Sequence, residues 1–167
     1  MAQFSRDKYY EARFESLNQQ VPECRVGASK AALNLVWLCD ALERRCHGTF
    51  NKFGLTLASF NVLTILQQKG PVPLKELSAL LVRTPANITG VMDGLVRRAL
   101  VRRIPHPEDR RVKLAELLPE GKKMVEQIRP LHHSDIKEVF EVLENEEIDV
   151  LIKLSRRVLS RMRELDE

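Results

Sequence analysis

The sequence is poor in the residues that build disulfide frameworks, membrane anchors and common catalytic centres. Its 167 residues include only three cysteines, Cys24, Cys39 and Cys46. Their odd number and the lack of a CxxC pair argue against a disulfide scaffold or a zinc ribbon, and a reducing cytoplasm is the default setting. No apolar run approaches the roughly 20 residues that cross a bilayer, so no membrane partner is expected. Residues 1–10 are polar and mixed in charge, unlike a secretory signal. None of GxGxxG, GxxxxGKS/T, HExxH or GxSxG occurs, and seven glycines are too few for a glycine-rich protein. The expectation is no enzyme, no cofactor and no metal. His132 and His133 do not alter it. Neighbours on a helix point about 100° apart, and with only Asp135 near their face the pair lacks a ligand set.

What is present suits a helical domain. The chain is 44% hydrophobic and 30% charged, which supports a core and excludes wholesale disorder. Residues 5–20 read as a short amphipathic helix carrying Tyr9, Phe14 and Leu17, and residues 18–27, with Pro22 and Gly27, as a connection. Over residues 29–53, apolar side chains recur at Ala31, Leu35, Leu38, Leu42, Cys46 and Phe50, a helical stripe that Gly54 ends. Thr56 caps a helix through Phe60, Val62, Leu63 and Leu66, which Gly70-Pro71 stops, and a short helix covers 73–81. Thr84-Pro85 is an N-cap followed by proline at the first helical position. The helix behind it runs to about Arg98 with Ile88, Val91, Met92 and Leu95 turned inward. The period then changes. Residues 100–104 and 112–117 read as two strands around a loop holding Pro105 and Pro107. Pro119 opens a long helix to about Glu144 that Pro130 should kink or break. Asn145 is the expected cap of a last helix through Ile148, Leu151, Leu154, Val158, Met162 and Leu165.

The expected fold is mainly α with a small two-stranded β-wing: a winged helix-turn-helix over 55–118, flanked by helices over 1–54 and 119–167. In such a unit the second helix enters the DNA major groove. Its outward arc here would hold Ala86, Asn87, Thr89, Gly90 and Asp93. Asn87 and Thr89 can read base edges, Ala86 and Gly90 permit close approach, and Thr84 with the helix N-terminus can take a phosphate. Asp93 suits an ion pair with a wing arginine better than a base contact. The net charge of +4 is concentrated nearby. Residues 97–113 hold seven Lys/Arg against Glu108 and Asp109, a local +5 that includes Arg102, Arg103, Arg110, Arg111 and Lys113. An arginine on a thin β-loop can enter a narrow minor groove. Residues 135–149 carry a net −6 and read as an exposed turn facing away from double-stranded DNA.

In these stretches the chain resembles the MarR family of regulators: GLTLASFNVLTIL, LKELSALL, TPANITGVMDGLVRRALVRR and PEDRRVKLAELLPEGKKM. The most specific match is the wing, whose Asp109 and Arg111 fit the family's D-x-R signature. The resemblance implies an obligate homodimer on a palindromic operator, held together by intertwined dimerisation helices over 1–54 and 119–167 and released by a small effector that is often an anionic aromatic. It makes Arg111 the minor-groove arginine and Asp109 the residue that orients it. Trp37, His47 and Phe50 are candidate pocket walls, although core packing accounts for them equally well. Three features depart from the family pattern. Leu118 stands where a capping Thr is usual; there is no Lys or Arg between Thr84 and Val96; and about 25 residues precede the first long helix. Two alternatives stand beside this reading. One is a thiol redox sensor using Cys39 or Cys46, although residues 28–53 hold no tyrosine to activate them. The other is a winged-helix protein-interaction module that binds no DNA.

Overall fold

The computed structural model describes residues 6–21, 26–81, 84–109 and 111–166. Seven helices and three short strands follow in order. They are α1 (Arg6–Gln20), α2 (Val26–Lys52), α3 (Leu57–Lys69), β1 (Val72–Pro73), α4 (Leu74–Leu80), α5 (Pro85–Arg97), β2 (Val101–Pro105), β3 (Lys113–Leu117), α6 (Pro119–Phe140) and α7 (Asn145–Asp166). The chain forms two compact units, Met1–Arg45 and Cys46–Glu167, with α2 passing from one into the other.

In the first unit α1 and α2 meet through aromatic edges. The Tyr10 and Trp37 rings lie 4.8 Å apart, near-perpendicular, and Tyr9 sits edge-on to Tyr10. Lys30 stands over the Phe14 ring and pairs with Glu11 at 3.3 Å.

The second unit holds the core. Cys46 and Phe50 from the end of α2 pack with Phe60, Val62, Leu63 and Leu66 of α3, Leu77 of α4, and Ile88, Met92 and Leu95 of α5. Val125 and Ile128 of α6, Leu55 and Leu100, and Val72, Val101 and Ala115 of the strands complete it. The segments flanking the winged motif thus contribute to its core. Full burial of a side chain the size of Leu or Phe contributes about 1.5–3 kcal/mol.

Local chemistry sets the ends of these elements. Gly54 (φ 63°) closes α2, with its N–H on the Asn51 carbonyl and the Leu55 N–H on that of Phe50. The same pair of bonds closes α5, yet its left-handed residue is Ala99 (φ 53°), which carries the Cβ penalty that glycine avoids. The Thr56 hydroxyl accepts from the Ser59 N–H, and Gly70 ends α3.

Four details differ from the sequence reading. Val72–Pro73 is a strand, so the sheet has three members in the order β1-β3-β2. Proline donates nothing to a ladder and is tolerated there because β1 is an edge. Helix α6 runs through Pro130 unbroken: the unmet carbonyl would belong to Glu126, and both residues are exposed, so water can serve it. It stops at Phe140 rather than Glu144. Finally, the cap of α7 is Glu144, whose N–H is met by the Glu147 carboxylate at 3.0 Å, rather than Asn145.

Where the expected Thr is replaced by Leu118, α6 has no side-chain cap and begins on Pro119. Close packing stands in for it. A Cβ on buried Gly121 would lie 2.2 Å from the Leu100 carbonyl oxygen. Gly121→Ala is therefore expected to cost about 1–3 kcal/mol or more through overpacking, visible as a drop of several degrees in Tm.

Candidate nucleic-acid interface

Helix α5 is built as the sequence suggests. The Thr84 hydroxyl accepts from the Asn87 N–H at 3.3 Å, and Pro85 occupies the first turn. Ile88, Met92 and Leu95 are each no more than 1% exposed, which turns Thr84, Ala86, Asn87, Thr89 and Gly90 to solvent. Thr89 spends its hydroxyl proton on the Pro85 carbonyl at 3.0 Å, leaving its oxygen to act as an acceptor. Nothing lies within 4 Å of a Cβ built on Gly90, so no neighbour in the fold requires glycine there. Arg98, just past α5, donates to the carbonyls of Phe53 (2.7 Å) and Gly54. Its guanidinium thereby meets the negative end of α2 and ties the two helix ends together.

The wing pairs Val101 with Leu117 and Pro105 with Lys113. Two of its expected DNA-facing arginines are paired with acids. Arg103 bonds Asp93 of α5 at 2.6 Å, the partner anticipated from sequence. Arg102 bonds Glu116 directly across the ladder; that hydrogen bond and the carboxylate charge raise the guanidinium pKa. At the turn, the Asp109 carboxylate accepts the Arg111 N–H at 3.0 Å, and the Val112 N–H meets the Asp109 carbonyl. Among the described residues no ion pair engages Arg111 or Lys113. Arg110 lies outside the described residues. The sequence reading missed His106, whose Nδ1 accepts from the N–H groups of Glu108 (3.2 Å) and Asp109 (3.3 Å).

Comparison with known families matches residues 55–113 to the MarR family. The Bacillus subtilis HTH-type transcriptional repressor YetL is 36% identical over 141 residues, covering 81% of this chain and 83% of that protein. The chain belongs to the MarR family. It is a DNA-binding transcriptional regulator of that family. The B. subtilis regulator MhqR is 33% identical over 119 residues, 71% of this chain and 79% of that protein. Among solved structures, Bordetella bronchiseptica BpsR superposes with a TM-score of 0.72 at 26% identity, over 76% of this chain and 91% of that one. Its DNA binding is described as regulated by 6-hydroxynicotinic acid. Escherichia coli MarR in its apo form gives 0.64 at 25%, over 77% and 96%.

In this MarR-family chain the three candidate pocket walls fall in two units, Trp37 in the first and His47 and Phe50 in the second. Phe50 is 1% exposed and packs against Phe60 and His132 at ring distances of 5.2 and 5.0 Å. A ligand reaches it only if that core opens. His47 is exposed, and half-buried Trp37 faces Tyr10 in the first unit. Cys39 is exposed and Cys46 is 2% exposed; Cys24 lies outside the described residues. The acidic stretch is exposed as expected, except that Asp135 is buried and accepts the Thr49 hydroxyl at 2.5 Å, holding α6 to α2. No group of three metal-ligating side chains occurs among the described residues, and no helix there is long and apolar enough to cross a membrane.

His132 sits between these rings with its Nδ1 buried and unbonded. Burial lowers its pKa, the charge of His133 adds to this, and Asp135 opposes both. The folded chain resists a proton that the unfolded chain accepts, so stability is full above the free imidazole value and falls as pH drops below about 6.5. Tm should decline on acidification through that range, and His132→Phe should flatten the decline. Gly90→Ala, which meets no neighbour, should raise stability by about 0.5–1 kcal/mol, read as a higher Tm.

Proposed function

We propose that two copies of this chain form a repressor that grips a palindromic operator and releases it when a small aromatic, often anionic, ligand binds. The observation that carries this reading is the junction of α5 and the wing. The Arg103–Asp93 pair joins a helix with a polar outer arc to a turn that presents Arg111. Asn87 and Thr89 would meet base edges in the major groove, with Arg111 in the adjacent minor groove and Lys113 on phosphate. Pairing with a second copy is supported by α7, whose apolar side is bare in one chain: Leu154 is 49% exposed, Met162 56% and Leu165 67%. A helix with so strong an apolar stripe needs a partner to cover it. A ligand-released repressor is consistent with YetL, a named repressor, and with BpsR and its hydroxynicotinate. Binding energy that favours one spacing of the two α5 helices would spoil half-sites set about one helical turn apart.

The test is a gel shift of the DNA upstream of the gene, repeated with a panel of aromatic acids. A shift that one acid abolishes supports the reading; no shift at any salt concentration refutes it. Arg111→Ala should weaken binding about tenfold or more across sequences. It should also make the log–log salt slope shallower by roughly 0.9 for each phosphate that is no longer neutralised.

A further inference from the structure

The turn that presents Arg111 has almost no apolar support. Glu108, Asp109 and Arg111 are exposed, and the described residues between β2 and β3 include Pro107 and no helix. A loop of this kind needs its own bonds to hold one shape. Its backbone supplies two, His106 N–H to the Val112 carbonyl and Val112 N–H to that of Asp109, each 3.0 Å. These close the base of the turn and leave the N–H groups of Glu108 and Asp109 at its apex. Both are met by one atom, Nδ1 of half-buried His106, at 3.2 and 3.3 Å. The Asp109 N–H is thus held by His106, while the Asp109 carboxylate holds the Arg111 N–H at 3.0 Å.

We propose that His106 is a positioning residue for DNA binding. Its imidazole Nδ1 staples the wing apex and, through Asp109, sets where Arg111 enters the groove. An imidazole that accepts twice at Nδ1 carries its proton on Nε2. In this role the ring imitates an Asx side chain, whose oxygen, also one bond beyond Cγ, accepts N–H groups two and three residues ahead. His106→Asn would therefore keep the staple, and His106→Ala would remove it. This inference rests on the role given to Arg111 above.

The experiment uses the full chain and a fluorescent duplex that the wild-type protein selects from a random-sequence pool. His106→Ala should bind it about tenfold more weakly, the scale set by the loss of two hydrogen bonds. His106→Asn should stay within about twofold of wild type. Because His106 acts through Arg111, the double variant with Arg111→Ala should bind within about twofold of Arg111→Ala alone. Tm should shift by no more than a degree or two, since the exposed apex can open locally while the core stays folded. Amide hydrogen exchange at Glu108 and Asp109 should quicken in the alanine variant and not in the asparagine one. Three results would overturn the proposal: His106→Ala binding like wild type, His106→Asn no better than alanine, or losses that simply add in the double variant. A wild-type protein that selects no duplex defeats the DNA reading itself. One that binds while Arg111→Ala is silent defeats the assignment of Arg111, and the staple with it.

Discussion

The repeat of 3.6 residues in α5 is the constraint on which the rest of this molecule depends. With Ile88, Met92 and Leu95 sealed in the core, Ala86, Asn87, Thr89 and Gly90 have only solvent to face. The same burial anchors the wing, because Leu100 and Val101 continue the core directly after the helix. Arg98 and Asp93 use the remaining sides of the helix. One grips the end of α2 and the other holds Arg103. Rotating α5 by one residue would expose its apolar face and break both links, so the direction its polar arc faces is set by the core itself.

Charge follows a similar logic, with an outcome that a tally does not reveal. The +5 of residues 97–113 overstates the charge offered to DNA. Glu116 and Asp93 lie outside that window and neutralise Arg102 and Arg103. Those arginines brace the wing against itself and against α5. Among the described residues of that window Arg97, Arg98, Arg111 and Lys113 have no acidic partner; Arg98 is spent on the carbonyls of Phe53 and Gly54, and on the wing itself the charge lies at Arg111 in the turn and Lys113 at the foot of β3. A wing that is stiff at its base and cationic at its end suits insertion into a groove where negative potential is concentrated. In the proposed complex it would compensate for α5, which has no basic residue over its first three turns.

Much of the fold was legible because helices announce themselves locally. Thr56, Thr84 with Pro85, Gly54 and Gly70 mark helix ends within a residue or two, and the stripe in α5 named its buried face. Strand β1 was not legible. Two residues have no period, and Val72 and Pro73 become a strand only by meeting Ala115 and Leu114 some forty positions away. The bond from Thr49 to Asp135 spans 86 positions, so an acid that reads as part of a solvated cluster proves to be a buried clasp. Phe50 has the composition of a pocket wall and the position of a core residue. His106 carries no motif, because an imidazole accepting two N–H groups looks in sequence like any surface histidine.

From the sequence alone came the helical class, the order helix, short helix, helix, hairpin, the caps of α3 and α5, the outward arc of α5, and the D-x-R turn. All of these are set by residues within a few positions of one another, where backbone geometry and side-chain period suffice. Tertiary structure alone decided which arginines are spent on acids and which keep no acidic partner among the described residues. It decided that the hairpin gains a third strand, that Asp135 is buried, and that His106 supports the wing. Each of these depends on side chains brought together across the fold, and burial or pairing at such a distance leaves no periodic trace in the chain.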